Sequence, residues 1–228
     1  MKKIVNAIHS FYKKNDFQKA IIGLSGGIDS SVTAALLVKS LGKENVLGTY
    51  LPCGNQNDLA DVKALCKLLK IKFLVIDISP AFIAINKVLN NHDKLVKANI
   101  ASRLRMVHLY ALANQNKGFV CGTTNKAEYQ LGYFTKFGDG ACDFEPLLNL
   151  YKSEIYQLAK ELNIPKSIID KVPSAGLWPN QTDEGDMGVT YDEIEKYFKN
   201  QKIADKSKKI IEKFIKNSAH KRELPFAI

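Results

Sequence analysis

The sequence predicts an α/β protein, a doubly wound, Rossmann-like parallel sheet with helices on both faces. Two observations carry this expectation. Short apolar runs at 20–24, 46–51, 72–76 and 118–122 alternate with helical patterns near 2–14, 30–41, 57–70, 81–90 and 96–116, which is the rhythm of a parallel sheet with crossover helices. The chain of 228 residues also suits one domain with a full hydrophobic core, so 1–228 reads as a single unit. In such sheets ligands bind beyond the carboxyl ends of the strands. The turns after Leu24, Leu51, Ile76 and Gly122 are therefore expected to line one site.

Each element has a local reason. Ala20-Ile21-Ile22-Gly23-Leu24 is a continuous apolar run of the kind buried on both faces of a parallel sheet. Ser31 to Val38 follows as a packed helix. Between them stands Ser25-Gly26-Gly27-Ile28-Asp29-Ser30. Two glycines allow positive φ and close backbone approach, and the free N–H groups at the helix start attract an anion, so the stretch reads as a phosphate cradle. It is not a Walker A loop, since no Gly-Lys-Ser/Thr ending is present, and there is no GxGxxG fingerprint. Asp29 lies beside the expected phosphates, where a magnesium ion would reconcile two negative partners. The plainer reading has Asp29 or Ser30 capping the helix.

A second block, Gly122-Thr123-Thr124-Asn125-Lys126-Ala127-Glu128, follows the strand candidate at 118–122 and opens a helical turn, with Glu128 placed to join Asp29 at a metal. At 133–143 a lysine and carboxylates alternate with glycines and aromatics too irregularly for a core element, so the segment looks built for a ligand; a glycine hairpin is its structural alternative. The stretch 173–188, rich in Pro, Gly, Asp and Asn and holding Trp178, is the candidate mobile loop and lid.

Composition narrows the partners. The net charge of +10 is spread without a block of like charges, which favours anionic metabolites over nucleic acid or a membrane surface. Arg103, Arg105 and Arg222 are the only arginines among 33 basic side chains, suggesting positions that need a planar fork for carboxylate or phosphate. Cys53, Cys66, Cys121 and Cys142 form no CxxC pair and propose neither zinc nor a disulfide framework. The N-terminus has no sustained apolar region and no stretch reaches membrane-span length. A cytoplasmic, soluble protein is the expectation.

Taken together, these blocks resemble the ammonia-dependent NAD synthetases of the ATP pyrophosphatase superfamily, whose loop is Ser-Gly-Gly-x-Asp-Ser. The matching segments, in order, are 25–30, Asn99-Ile100-Ala101-Ser102-Arg103-Leu104-Arg105-Met106, 122–128, Phe134-Thr135-Lys136-Phe137-Gly138-Asp139, Leu150-Tyr151-Lys152-Ser153-Glu154, Pro173-Ser174-Ala175 and His220-Lys221. The resemblance implies an adenine nucleotide alpha hydrolase-like fold and a two-step amidation. The nicotinate carboxylate of deamido-NAD would attack the α-phosphorus of ATP, and ammonia would then displace AMP. It places Gly23, Leu24, Ser25, Gly26, Gly27, Ile28, Asp29, Ser30, Gln56, Thr123, Lys152 and Ser174 at ATP, and Asp29 and Glu128 at Mg2+. Arg103, Lys136, Asp143, His220 and Lys221 fall around deamido-NAD. It further implies a homodimer, for which the long helix at 96–116 is suited; 228 residues leave no room for the glutaminase domain of glutamine-dependent relatives, so free ammonia, or ammonia delivered by a separate partner, is the expected donor.

Two departures stand out. Tyr50 occupies a position where many relatives have arginine, and Gly176 replaces a common aspartate, so the 173–188 segment is expected to order itself through Asp183 and Glu184. Plain alternatives remain for single residues: Lys152 as a solvated helix lysine, Arg103 and Arg105 as helix-surface pairs, and His220 as a bystander. Two other functions are also open. One is a tRNA-adenylating member of the superfamily, although its thiolases show paired cysteines that are absent here. The other is a non-catalytic nucleotide- or RNA-binding module, although no aromatic platform or basic run supports it. Asp29→Ala is expected to abolish pyrophosphate release with the fold intact.

Overall fold

Four parallel strands run side by side in the order β3-β2-β1-β4 in the computed structural model, which describes residues 1–54, 58–90, 93–174, 176 and 180–223. The strands are β1 (Lys19–Gly23), β2 (Val46–Tyr50), β3 (Lys72–Val75) and β4 (Gly118–Cys121). β1 pairs with β2 in the register Ala20 to Val46 and with β4 in the register Ala20 to Phe119. The order therefore reverses between β1 and β4, the topological switch point at which doubly wound sheets bind ligands. All four strands fall within a residue or two of their apolar runs. β3 differs in character: although its run is apolar, as the edge strand it leaves Leu74 and Val75 substantially exposed.

The helices of the first half are α1 (Lys2–Lys14), α2 (Ile28–Leu41), α3 (Leu59–Leu69), α4 (Ser79–Leu89) and α5 (Lys94–Gln115). Asp93 starts α5 by accepting the Val96 N–H at 2.8 Å, a side-chain N-cap. Beyond β4 come α6 (Lys126–Leu131), α7 (Lys152–Glu161), α8 (Lys166–Ile169), α9 (Asp183–Met187), α10 (Tyr191–Phe198) and α11 (Asp205–Ser218). Helix α9 lies inside the stretch that composition marks as a loop. Thr182 caps it through Gly185 N at 3.1 Å, a local signal that the Pro- and Gly-rich flanks mask.

The two faces of the sheet are covered differently. α1, α2, α3 and α7 pack on one face around Ile22, Val32, Leu36, Phe119 and Ile155, each fully buried. Phe119 is the anchor there, edge-on to Phe11 with centroids 5.3 Å apart; each such buried side chain contributes roughly 1.5–3 kcal/mol. α5 covers the other face, packing Met106, Leu109 and Ala113 on Ile21 and Val120. A third cluster, Leu131, Met187, Tyr191, Ile194 and Ile211, joins α6, α9, α10 and α11 beside the carboxyl ends of the strands. That satellite core fixes the far wall of the site.

Candidate active site

At the switch point the chain leaves β1, continues the ladder once through Leu24 N to Thr49 O at 2.8 Å, and turns into α2. The turn is held by its own serines. Ser25 Oγ and Ser30 Oγ are 3.1 Å apart, Gly27 N donates to Ser25 Oγ at 3.2 Å, and Ser31 Oγ donates to Gly27 O at 2.7 Å. Gly26 has φ +78°, and a Cβ there would lie 2.8 Å from the Asp58 Cβ, so both conformation and space require glycine. The N-cap is Gly27 and makes no side-chain capping bond. Asp29 and Ser30 are thus not spent on capping, and the first N–H groups of α2 face the end of the sheet as an anion site.

Asp29 meets the second block. Lys152 Nζ donates to Asp29 Oδ2 at 2.6 Å and lies 4.0 Å from Glu128 Oε1. Its side chain is buried, with 4% exposure for the residue, which overturns the solvated-lysine alternative. Asn125 caps α6 by accepting Glu128 N at 3.0 Å, offers its own N–H to Glu128 Oε2 at 3.0 Å, and reaches Asp29 Oδ1 at 3.4 Å. Burial works to lower the pKa of Lys152, but the Asp29 and Glu128 carboxylates outweigh it and hold the ammonium charged. Glu128 is pushed up to about 8, first by burial and then by Asp29, with Lys152 pulling the other way. One lysine shared between two enclosed carboxylates leaves a net demand for positive charge, and two carboxylates beside phosphates are the donor set that suits Mg2+. No cluster of three or more His, Cys, Asp or Glu that could hold a metal by itself occurs among the described residues.

Tyr191 and Lys171, which the sequence did not single out, complete this wall together with Asp183 and Glu184, which it did. The Tyr191 hydroxyl lies 3.0 Å from Glu128 Oε1 and 2.9 Å from Asp183 Oδ2, and its ring sits 4.8 Å from Lys152 Nζ. Asp183 is buried and accepts from Tyr133 OH at 3.4 Å, while Glu184 Oε1 accepts Tyr191 N at 2.9 Å. Those two carboxylates anchor the end of the 173–188 segment. Lys171 bridges Asp58 (2.8 Å) and Asp61 (2.5 Å) and reaches Gly26 O at 3.3 Å, bracing the phosphate turn from outside. The Thr190–Glu193 capping box is a local signal for the start of α10, but it carries no sign that the next tyrosine faces Glu128. Tyr50 is buried, and an arginine does reach the end of β2: Arg105 comes across from α5 and donates to Leu51 O at 3.0 Å.

The residues assigned to the second substrate gather in part. Arg103 Nε and Nη2 reach Lys136 O at 3.4 and 3.3 Å, and Lys136 Nζ donates to His220 O. Lys221 Nζ donates to Gly132 O and Phe134 O at 2.8 and 2.7 Å. Asp143 sits elsewhere, against the edge of β4, its Oδ2 accepting Val120 N at 2.8 Å and its Oδ1 the Tyr110 hydroxyl at 3.3 Å. The segment holding Lys136 is a run of tight turns, Gly138 N to Thr135 O and Ala141 N to Gly138 O, pinned where Ser102 Oγ donates to Asp139 Oδ1 at 2.6 Å. It is not a strand hairpin. Thr123 stands at the end of β4, half-buried; Ser174 is exposed and its Oγ accepts Gly176 N at 3.1 Å. Gln56, Ala175 and Trp178 lie outside the described residues.

A parallel sheet with a serine–glycine phosphate turn at its switch point, an enclosed Asp–Lys–Glu group and a cationic flank defines a nucleotide-using α/β enzyme. The chain belongs to the NAD synthase family, whose model matches residues 1–225, and it is a ligase that forms a carbon–nitrogen bond. An NH3-dependent NAD+ synthetase of Thermoplasma acidophilum is 45% identical over 92% of this chain and 90% of its own length. Among solved structures, the NMN synthetase of Francisella tularensis superposes with a TM-score of 0.95 at 42% identity, covering 100% of this chain and 96% of that one. The NH3-dependent NAD synthetase of Campylobacter jejuni, solved with a nitrate ion, gives 0.86 at 30% identity, with coverage of 100% and 96%.

Proposed function

We propose that this chain amidates the nicotinate carboxylate of deamido-NAD with ammonia at the expense of ATP, giving NAD, AMP and pyrophosphate through an acyl adenylate. The observation that carries the reading is Lys152, buried at the start of α7 and held against Asp29 beside the phosphate turn. A carboxylate is a poor electrophile near neutrality, and adenylation converts one of its oxygens into a leaving group. The chain's contribution is positioning and charge neutralisation. Gly23 to Ser30 cradle the triphosphate, Lys152 offsets its charge, and Thr123 and Ser174 contact the nucleotide. Asp29 and Glu128 would hold Mg2+, which when bound neutralises phosphate charge. Arg103, Lys136, His220 and Lys221 would meet the anionic groups of the pyridine nucleotide, and Asp143 the edge beside it.

The Francisella relative favours a second reading, in which the substrate is the mononucleotide rather than the dinucleotide. The chemistry at the carboxylate is the same, and only the contacts beyond the first phosphate differ. We also propose a homodimer. α4 and the start of α5 present Val88 (85% exposed), Leu89, Leu95 and Ile83 to solvent, an apolar face of the kind that a second copy covers. Sedimentation should give twice the mass of 25.4 kDa, and a monomer would remove the dimer. A cytoplasmic, single-unit enzyme fed by free ammonia completes the proposal; no helix among the described residues is long and apolar enough to cross a membrane.

The test is product formation by the purified chain with ATP, magnesium and ammonium, offering deamido-NAD and nicotinate mononucleotide in parallel and glutamine in place of ammonium in a third arm. NAD matched one to one by AMP, with ammonium only, supports the first reading; preference for the mononucleotide supports the second. ATP binding without either product would turn attention to tRNA substrates.

A further inference from the structure

Beyond the end of β4 lies a partly open cavity of about 160 Å³ beside the residues assigned to the pyridine nucleotide. Its walls include Thr124, the near-parallel rings of Tyr129 and Phe134 (centroids 6.3 Å apart, 10° between planes), Leu148 and the carboxyl group of Glu145. Glu145 comes tight against the strand end because residue 122 is glycine: a Cβ there would lie 2.3 Å from Glu145 Oε1. Glu145 Oε2 accepts the Thr124 N–H at 3.1 Å, and the Cys142 thiol hydrogen-bonds to the same carboxyl group. Lys221 and Arg222 also line the cavity, and each is hydrogen-bonded to the chain. Lys221 donates to two backbone carbonyls, and Arg222 donates to Tyr129 O, Ile215 O and Ser218 Oγ. Among the described residues Glu145 has no ion-pair partner within 4.0 Å. A carboxyl group therefore faces a small, aromatic-walled space that one compact cation would fill.

We propose that this cavity captures ammonium and that Glu145 takes its proton, releasing ammonia towards the activated carboxyl carbon. The inference rests on the amidation reading above. Ammonium has no free electron pair. Transfer of one proton to the Glu145 carboxylate leaves neutral ammonia, whose lone pair forms the C–N bond. The C–O bond to AMP breaks, AMP leaves with its electrons, and the nitrogen loses its surplus proton to solvent. Burial, above all, holds the Glu145 carboxyl group up to about 7, with the Cys142 and Thr124 hydrogen bonds acting downward and Asp139 upward. A base tuned near neutrality both accepts and returns a proton. The titratable and charged groups facing it are Cys121, Cys142, Asp139, Tyr129, Lys221 and Arg222.

The experiment compares the wild-type chain with Glu145→Gln at saturating ATP and pyridine nucleotide. Ammonium is titrated across pH, pyrophosphate exchange reports adenylation, and hydroxylamine, uncharged near neutrality, serves as an amine that needs no base. The variant should raise the KM for ammonium by about tenfold or more and lose the limb of kcat/KM near pH 7, while keeping exchange and hydroxamate formation. An unchanged ammonium KM and pH profile would overturn the proposal, as would an equal loss with both amines, which a merely structural role would produce. Glu145→Asp, which keeps the acid on a shorter arm, should recover part of the ammonium dependence, and failure to do so while exchange persists also counts against it. If the wild-type chain forms no amide from ammonium at all, it is the amidation reading that fails.

Discussion

The two ends of the site solve the problem of handling anions in opposite ways. At the nucleotide end the charged side chains are paired with each other: Lys152 with Asp29 and Glu128, Lys171 with Asp58 and Asp61. At the pyridine end the cations rest on backbone carbonyls, Arg103 on Lys136 O, Lys136 on His220 O and Lys221 on Gly132 O and Phe134 O. A carbonyl is a weaker partner for a cation than a carboxylate, so an incoming phosphate or carboxylate displaces it at small cost. The nucleotide end is built in advance, and its residues hold the fold as well as the ligand. On the proposed assignment, the pyridine end would be completed by its substrate.

The largest break in that contrast comes at Asp29. Removing its carboxylate should lower pyrophosphate release by about a thousandfold or more, since both the proposed metal position and the Lys152 anchor would be lost. The sequence-based expectation is that Asp29→Ala spares the fold; the structure predicts instead that it weakens it. Lys152 would be left buried with Glu128 4.0 Å away as its nearest carboxylate, and breaking a buried pair costs about 3–5 kcal/mol. Asp29→Asn keeps the shape and a hydrogen-bond acceptor, so it should melt between wild type and Asp29→Ala while remaining as inactive. Wild-type melting of Asp29→Ala would show that the pair is not structural.

Tyr191→Phe should come next. Its hydroxyl serves both Glu128 and Asp183, and leaving buried carboxylates without it costs about 1–3 kcal/mol. If Tyr191 orients Glu128, calorimetric affinity for magnesium-ATP should fall by about tenfold in step with the loss of stability. A stability loss with unchanged affinity would confine Tyr191 to packing.

The same contrast explains what could be read in the sequence. The sheet was legible because Ile21, Ile22, Val120 and their neighbours form continuous apolar runs, and the phosphate turn because glycine at 26 answers a steric demand that leaves a mark in any sequence. Lys152 was legible only through resemblance; by periodicity alone it looks like any helix lysine, although Asp29 and Glu128, 123 and 24 positions away, neutralise it. Tyr191 and Lys171 were missed because their partners are brought together by the fold, and Asp183 was read as ordering its own segment but not as a partner of Tyr191. Helix α9 was hidden by Gly185 and Gly188, whose composition reads as loop although Thr182 caps it.

A smaller effect separates a cavity acid from a paired one. The pKa of Glu145 is raised from the ordinary carboxylate range to about 7, so its contribution to stability is full below about pH 4.5 and is lost as pH rises through 7. Over that window wild type should lose on the order of 2 kcal/mol that Glu145→Gln does not, measurable as a difference in urea midpoints at about pH 5 and pH 8. Parallel pH curves for the two proteins would mean that the carboxyl group is well solvated.

The smallest effects test the contrast most directly, because they compare one lysine from each end. Lys171 is about one-third exposed, so its two ion pairs are screened, and Lys171→Met should cost under about 1 kcal/mol. Its contact with Gly26 O braces the phosphate turn, so the KM for ATP should rise a few-fold with kcat nearly unchanged, the mark of uniform binding. Lys136→Ala loses one carbonyl contact and a loose contact over the exposed Phe137 ring, 5.4 Å from its centroid, and should leave the melting temperature where it is, raising the KM for the pyridine nucleotide instead. If Lys136→Ala destabilised the protein as much as Lys171→Met, the pyridine end would also be built in advance, and the carbonyl contacts would be structural bonds rather than placeholders for an anion.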